Sequence, residues 1–173
     1  MFKAVDTESG KIIGAARWIV VVEDEVVRES VGDAVEGSLE LAAFPEMDLR
    51  VARGFYEMAV RGKRGVLEVG DTRSTATAGG EVILRRRVEL ETLFVHPEFQ
   101  GQGVGKALLQ WGIDEAERLG FVVYLEATEA GRPLYERFGF EEVKVVEFDA
   151  AEFGGVGGQT YTFMVRIPRD IQV

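Results

Sequence analysis

Leu90-Glu91-Thr92-Leu93-Phe94-Val95-His96-Pro97-Glu98-Phe99-Gln100-Gly101-Gln102-Gly103-Val104-Gly105-Lys106-Ala107-Leu108-Leu109 is the stretch from which the fold of this chain can be read. Leu90, Thr92 and Phe94 alternate with Glu91, Leu93 and Val95, the period-two pattern of a strand. Pro97 carries no N–H and stops ladder pairing. Glycines follow at every second position, and from Val104 to Leu119 the apolar spacing becomes helical. A glycine loop feeding a helix leaves backbone N–H groups unpaired at the positive end of the helix dipole. That is an anion site, most naturally for phosphate.

Spacing narrows the ligand. A Walker A loop needs Gly five residues before Gly-Lys and Ser or Thr after it; here those positions are Gln100 and Ala107. The dinucleotide pattern G-x-G-x-x-G started at Gly101 needs glycine where Lys106 stands. A third pattern, Gln-x-x-Gly-x-Gly, is present at Gln100, Gly103 and Gly105. With its leading strand, Val95 to Gly105 resembles the pyrophosphate-binding motif of the GNAT superfamily of acetyl-CoA-dependent N-acetyltransferases. Tyr124-Leu125-Glu126-Ala127 and Gly131-Arg132-Pro133-Leu134-Tyr135-Glu136-Arg137-Phe138-Gly139-Phe140 look like that family's next strand and its Leu-Tyr-x-x-Phe-Gly-Phe helix. Val5 to Trp18 is similar to the family's second and third strands, and the chain as a whole resembles uncharacterised fungal-type members.

The remainder of the sequence sets bounds. The 173 residues are 46% apolar and 29% charged, which fits one globular domain spanning 1–173. No apolar run reaches membrane-span length, and a net charge of −10 argues against nucleic-acid binding. The absence of cysteine excludes disulfides, thiolate metal sites and a cysteine nucleophile, and is compatible with a cytoplasmic or nuclear setting. One histidine leaves no basis for a zinc site, so no metal is expected.

In chain order, strands are expected at 2–5, 12–22, 88–95, 122–127, 141–148 and 160–167. Helices are expected at 48–61, 104–119 and 131–138, with Asp48 as N-cap and Gly62 and Gly120 as C-terminal glycines. Residues 23–37 read as an acidic excursion with some helix, and 70–80 as a disordered loop of small polar residues. Ala107, Leu108, Trp111 and Ala116 are expected to face the core. Arg85-Arg86-Arg87 reads as a solvated strand entry, with contact to a cofactor phosphate as the alternative. The result is a mixed α/β sheet with a parallel central pair and a helix on each face. The family's first strand and helices are expected to be absent, the variable excursion at 23–80 standing in for them.

The resemblance implies a GNAT-like sheet whose central strands splay to admit the pantetheine arm of acetyl-CoA. Carried over residue by residue, the backbone of Leu93, Phe94 and Val95 binds pantetheine. Gln100, Gln102, Gly103, Val104, Gly105 and Lys106 bind the pyrophosphate. Tyr135 matches the family tyrosine near the sulfur and is the expected general acid. Glu89, eleven residues before Gln100, or Glu91 is the expected base, with water as a further carrier of that role; His96 is expected to be structural. With no cysteine available, direct transfer to a primary amine in a ternary complex is implied. The acceptor is a small molecule or a peptide, and the protein a monomer or homodimer. The alternatives are a non-catalytic CoA-binding module and a nucleotide-phosphate domain.

Overall fold

The computed structural model describes residues 1–42, 44, 46–69 and 81–169; the loop expected at 70–80 therefore lies outside the described residues. The elements run β1 (Phe2–Val5), β2 (Ile12–Val21), β3 (Glu25–Val27), α1 (Val31–Ala42), α2 (Leu49–Leu67), β4 (Val82–Leu84), β5 (Arg87–Val95), α3 (Val104–Leu119), β6 (Val122–Thr128), α4 (Arg132–Arg137), β7 (Glu141–Asp149) and β8 (Gly158–Arg166). Six strands form one sheet in the order β1-β2-β5-β6-β8-β7, and β3 pairs with β4 apart from it. β5 and β6 are parallel; the other neighbours in the large sheet are antiparallel.

One helix covers each face. α3 lies on the side of Trp18, Val88, Leu90, Val123, Leu125 and Met164. α2 lies over the side of Tyr124 and Phe163. Both approach closely through glycine. A Cβ on Gly112 would stand 2.4 Å from the Trp18 ring, and one on Gly62 would stand 2.0 Å from the Phe163 ring. This corrects the expected end of α2. Gly62 does not stop the helix but lets it pass over Phe163, and the helix continues to Leu67. Asp48 does cap its start, accepting a hydrogen bond from the Arg50 amide (3.0 Å).

Gly112 also moves the buried stripe of α3. The core face is Leu108, Leu109, Gly112, Ile113 and Ala116. Ala107 is exposed, and Trp111 sits at the rim with its ring 4.2 Å from that of Phe2. Gly120 ends the helix in left-handed backbone (φ 67°), as its position predicted.

The excursion is more ordered than its composition suggests. α1 begins with a reciprocal cap. Ser30 Oγ accepts from the Asp33 amide (3.1 Å), while Asp33 Oδ2 accepts from the Ser30 amide (3.2 Å). Val35 and Leu39, one turn apart, are its buried residues.

Arg85 and Arg86 of the arginine run are exposed, as a solvated entry would be, but Arg87 is not. Arg87 is 3% exposed, its Nε 2.9 Å from Glu89 and its Nη2 2.9 Å from Glu25. It also stands at the opposite end of β5 from the glycine loop. Eight steps of strand separate Arg87 from Val95, about 26 Å at 3.3 Å per residue. That distance removes the arginine run from the phosphate site.

Candidate functional site

The site begins where the central strands part. Parallel pairing of β5 and β6 runs from Arg87↔Val122 to Leu90↔Leu125 and stops. Beyond it β5 stays paired with β2 as far as Val95↔Gly14, and β6 with β8 as far as Thr128↔Tyr161. Each strand is thus held from its outer edge while the inner edges separate. Burial changes at the same point: residues 87–90 are buried, and 91–95 are exposed or half-buried. Polar backbone groups of Glu91–Val95 that face the gap have no ladder partner.

At the mouth of the gap the chain turns through Pro97–Phe99 into the glycine loop. His96 Nδ1 accepts from the Glu98 amide (3.3 Å), and Gln100 Nε2 donates to the Val95 carbonyl (3.2 Å). Both side chains hold the turn. Gln102 Nε2 donates to the Glu98 carbonyl (2.9 Å). Gly101 and Gly103 have φ of 73° and 87°, backbone that a side chain disfavours. Ala107 is the first amide of α3 to find a helical acceptor, the Gly103 carbonyl at 3.0 Å. Among the described residues, the amides of Gln102 to Lys106 have no protein acceptor.

Loop and gap open into one cleft of about 1360 Å³. Leu93, Phe94, Val95, Gly103, Gly105 and Lys106 line one side of it, and Gly131, Leu134 and Phe138 the other. Of the positions singled out in the sequence, Gln102 and Val104 do not line this cleft; they line a neighbouring depression with Phe2, Ala4 and Trp111.

The side chains named for chemistry are dispersed. Tyr135 is 8% exposed and sits behind the opposite wall, its Cε2 3.1 Å from where a Gly131 Cβ would stand. Burial pushes its phenol pKa up, which keeps the proton on the oxygen. The hydroxyl has no hydrogen-bond partner among the described residues. Glu91 pairs with Arg17 (2.5 Å) near the surface. Glu89 has both oxygens occupied by cations, Lys63 Nζ at 2.5 Å and Arg87 Nε at 2.9 Å. Neither glutamate lines the cleft.

A carboxylate that the sequence reading passed over stands beside the point where the strands part, though it too does not line the cleft. Glu126 is the first residue of β6 beyond the last parallel rung, half-buried on the α2 side of the sheet. The Tyr124 hydroxyl donates to its Oε1 at 2.8 Å. Burial lifts its pKa above the ordinary glutamate range; the Tyr124 hydrogen bond and the Lys63 charge oppose that lift, and Glu89 adds to it. A lone acidic residue inside the apolar run Val122–Ala127 was the available signal.

Among the described residues, no group of three or more His, Asp or Glu could hold a metal, and no helix is long and apolar enough to cross a membrane.

The family model described as an acetyltransferase (GNAT) domain matches residues 57–142. A probable acyltransferase of Ajellomyces capsulatus is 45% identical over 42 residues, 24% of this chain and 31% of that one. An uncharacterized N-acetyltransferase of Methanocaldococcus jannaschii is 31% identical over 98 residues, 54% of this chain and 42% of that one. The matches thus span less than half the length of either relative. A mosquito arylalkylamine N-acetyltransferase-like protein superposes with a TM-score of 0.60 at 18% identity, over 95% of this chain and 73% of the other, a likeness of fold.

Proposed function

Because the chain belongs to the GNAT superfamily of acetyltransferases, we propose that it transfers the acetyl group of acetyl-CoA to a primary amine. The observation that carries this reading is the strand gap beyond Leu90 and Leu125, continuous with a loop of unpaired amides at the start of α3. Such a loop binds pyrophosphate through N–H groups of Gln102, Gly103, Val104, Gly105 and Lys106, with the Lys106 ammonium as countercharge. Unpaired backbone of Leu93, Phe94 and Val95 then receives the amides of pantetheine, as a strand would. Gln100 serves by fixing Val95 to the loop. No metal takes part in this scheme.

Transfer is direct. With no cysteine in the chain, the amine attacks the thioester carbonyl in a ternary complex. The carboxylate of Glu126 takes a proton from the ammonium, its raised pKa suiting the task. The C–N bond forms and the C–S bond breaks. Tyr135 supplies the proton that the departing thiolate needs, and the second nitrogen proton restores the phenol. Glu89 and Glu91, tied to cations, act on the charge of the site rather than as the base. The acceptor, a small molecule or a peptide amine, arrives on the α2 side, where Glu126 stands.

Calorimetric titration with acetyl-CoA, followed by thiol release over an amine panel, tests this reading. Binding with turnover is the expected result. No binding at millimolar cofactor would overturn it, and binding without transfer to any amine would leave a CoA-binding module.

A further inference from the structure

The α2 side of the strand gap carries a charge cluster in which the scheme above gives Lys63 no role of its own. Lys63 is the residue after Gly62, which rests on the Phe163 ring. Phe163 is the β8 partner of Glu126 in the sheet register. The glycine contact therefore sets Lys63 above the seam between β5 and β6. Its ammonium lies 2.5 Å from Glu89 Oε1, and its charge also acts on Glu126. Glu89 in turn pairs with Arg87, and Arg87 with Glu25 of β3.

We propose that Lys63 is a positioning residue: together with Glu89 it sets the charge balance under which Glu126 accepts a proton. The proposal rests on Glu126 as the base of the acetyltransferase reading. Among the described residues, few groups act on Glu126. β5 contributes Glu89 and, behind it, Arg87; α2 contributes Lys63; β6 itself contributes Tyr124; β8 contributes Tyr161. Lys63 and Glu89 carry opposite charge and touch each other, so removing Lys63 leaves Glu89 balanced by Arg87 alone, while removing the Glu89 charge leaves Lys63 without its carboxylate. The signs then separate. Without Lys63, the cation that favours ionised Glu126 is gone, Glu89 is only partly offset by Arg87, and the proton is held more tightly. Without the Glu89 charge, Lys63 is released to Glu126 and the proton is held less tightly.

A helix residue with no charge role would show neither response. Its loss would lower stability and leave the titration of Glu126 where it was. Lys63 is also suited to substitution, since its side chain is 29% exposed and not part of the packed core.

The test is carboxyl-carbon NMR of the glutamate-labelled full chain, titrated without cofactor. The Glu126 resonance is assigned with Glu126→Gln. Lys63→Met is expected to move the Glu126 midpoint to higher pH, Lys63→Arg to restore it, and Glu89→Gln to move it to lower pH. An unmoved midpoint in Lys63→Met, or a rise in Glu89→Gln, overturns the proposal. If Lys63→Met fails to fold, Lys63→Gln decides by the same signs. CoA titration of the same wild-type sample keeps the two questions apart. Absence of CoA binding alongside shifted midpoints would sink the acetyltransferase reading and leave the charge linkage standing.

Discussion

Leu90 on β5 and Leu125 on β6 are the last residues to face each other across the parallel ladder, and both are buried under α3. One step later the strands part, each still paired with an antiparallel partner on its outer side, and the β2–β5 register shifts at Glu91. The gap is thus built by the pairing pattern of the sheet. Preorganisation of this kind lowers the ordering cost of binding.

Glu126 stands just past that rung, and its replacement separates catalysis from stability. Glu126→Gln keeps an oxygen for the Tyr124 hydroxyl but cannot take a proton. Turnover should fall about 10²-fold or more, the usual worth of a positioned base. Stability should move the other way. The folded-state pKa of Glu126 is raised. Its stabilising contribution is therefore fully present below the ordinary glutamate value and is lost as pH rises through the folded value. The glutamine variant lacks that loss. Thermal melts should show it gaining on the wild type as pH rises toward neutrality, with the two alike in acid.

Gly103 tests the loop. A Cβ there meets nothing within 4 Å, so any effect of Gly103→Ala is conformational. At φ 87° the alanine costs about 1–2 kcal/mol. Relaxation of that strain would turn the amides away from one another. CoA affinity measured by calorimetry should drop roughly tenfold, the equivalent of 1.4 kcal/mol. Unchanged affinity would mean that the loop does not bind the cofactor.

What was legible in the sequence was local. The glycines at 101, 103 and 120 answer to left-handed backbone at those residues, and Pro97 to the end of a ladder, so β5, the loop and α3 could be placed without tertiary knowledge. α1 could not, because Gly32 and Gly37 interrupt it and its two buried residues pack on another helix. Its cap, Ser30-x-x-Asp33, was nevertheless readable. β3 and β4 join Glu25 to Leu84, a pairing no local pattern encodes. The site divided in the same way. The unpaired amides of the loop follow the glycine spacing. The roles of Glu89 and Glu126 depend on which cations the fold brings to each. A burial as unusual as that of Arg87 is set by Glu25 and Glu89 together, one of them distant in sequence.

Two glycines of α2 give opposite predictions from one helix. Gly62→Ala drives a Cβ into the Phe163 ring, which is wholly buried and cannot retreat. Overpacking of that kind costs about 1–3 kcal/mol, so the melting temperature should fall by several degrees. Gly65 has open space around its Cβ position and lies three residues further along the same helix. Gly65→Ala should stabilise by about 0.5–1 kcal/mol, through helix propensity. Differential scanning calorimetry of the pair checks both. A neutral Gly62→Ala would mean that α2 does not rest on Phe163 as closely as described.

Tyr135→Phe is the sharpest test of the thiolate's proton source. The ring packs against Phe140 at 5.9 Å between centroids and under Gly131, contacts that phenylalanine keeps. Only the hydroxyl is lost, and it has no protein partner to leave unpaired among the described residues. Folding and CoA affinity should therefore be unchanged. Turnover should fall by about 10²-fold if the phenol protonates the leaving thiolate. A leaving group that is already a weak base depends less on that proton. An acetyl thioester with a more acidic thiol should accordingly restore part of the loss in the variant and have little effect on the wild type. Equal turnover of Tyr135→Phe and the wild type with acetyl-CoA would remove Tyr135 from the acid role.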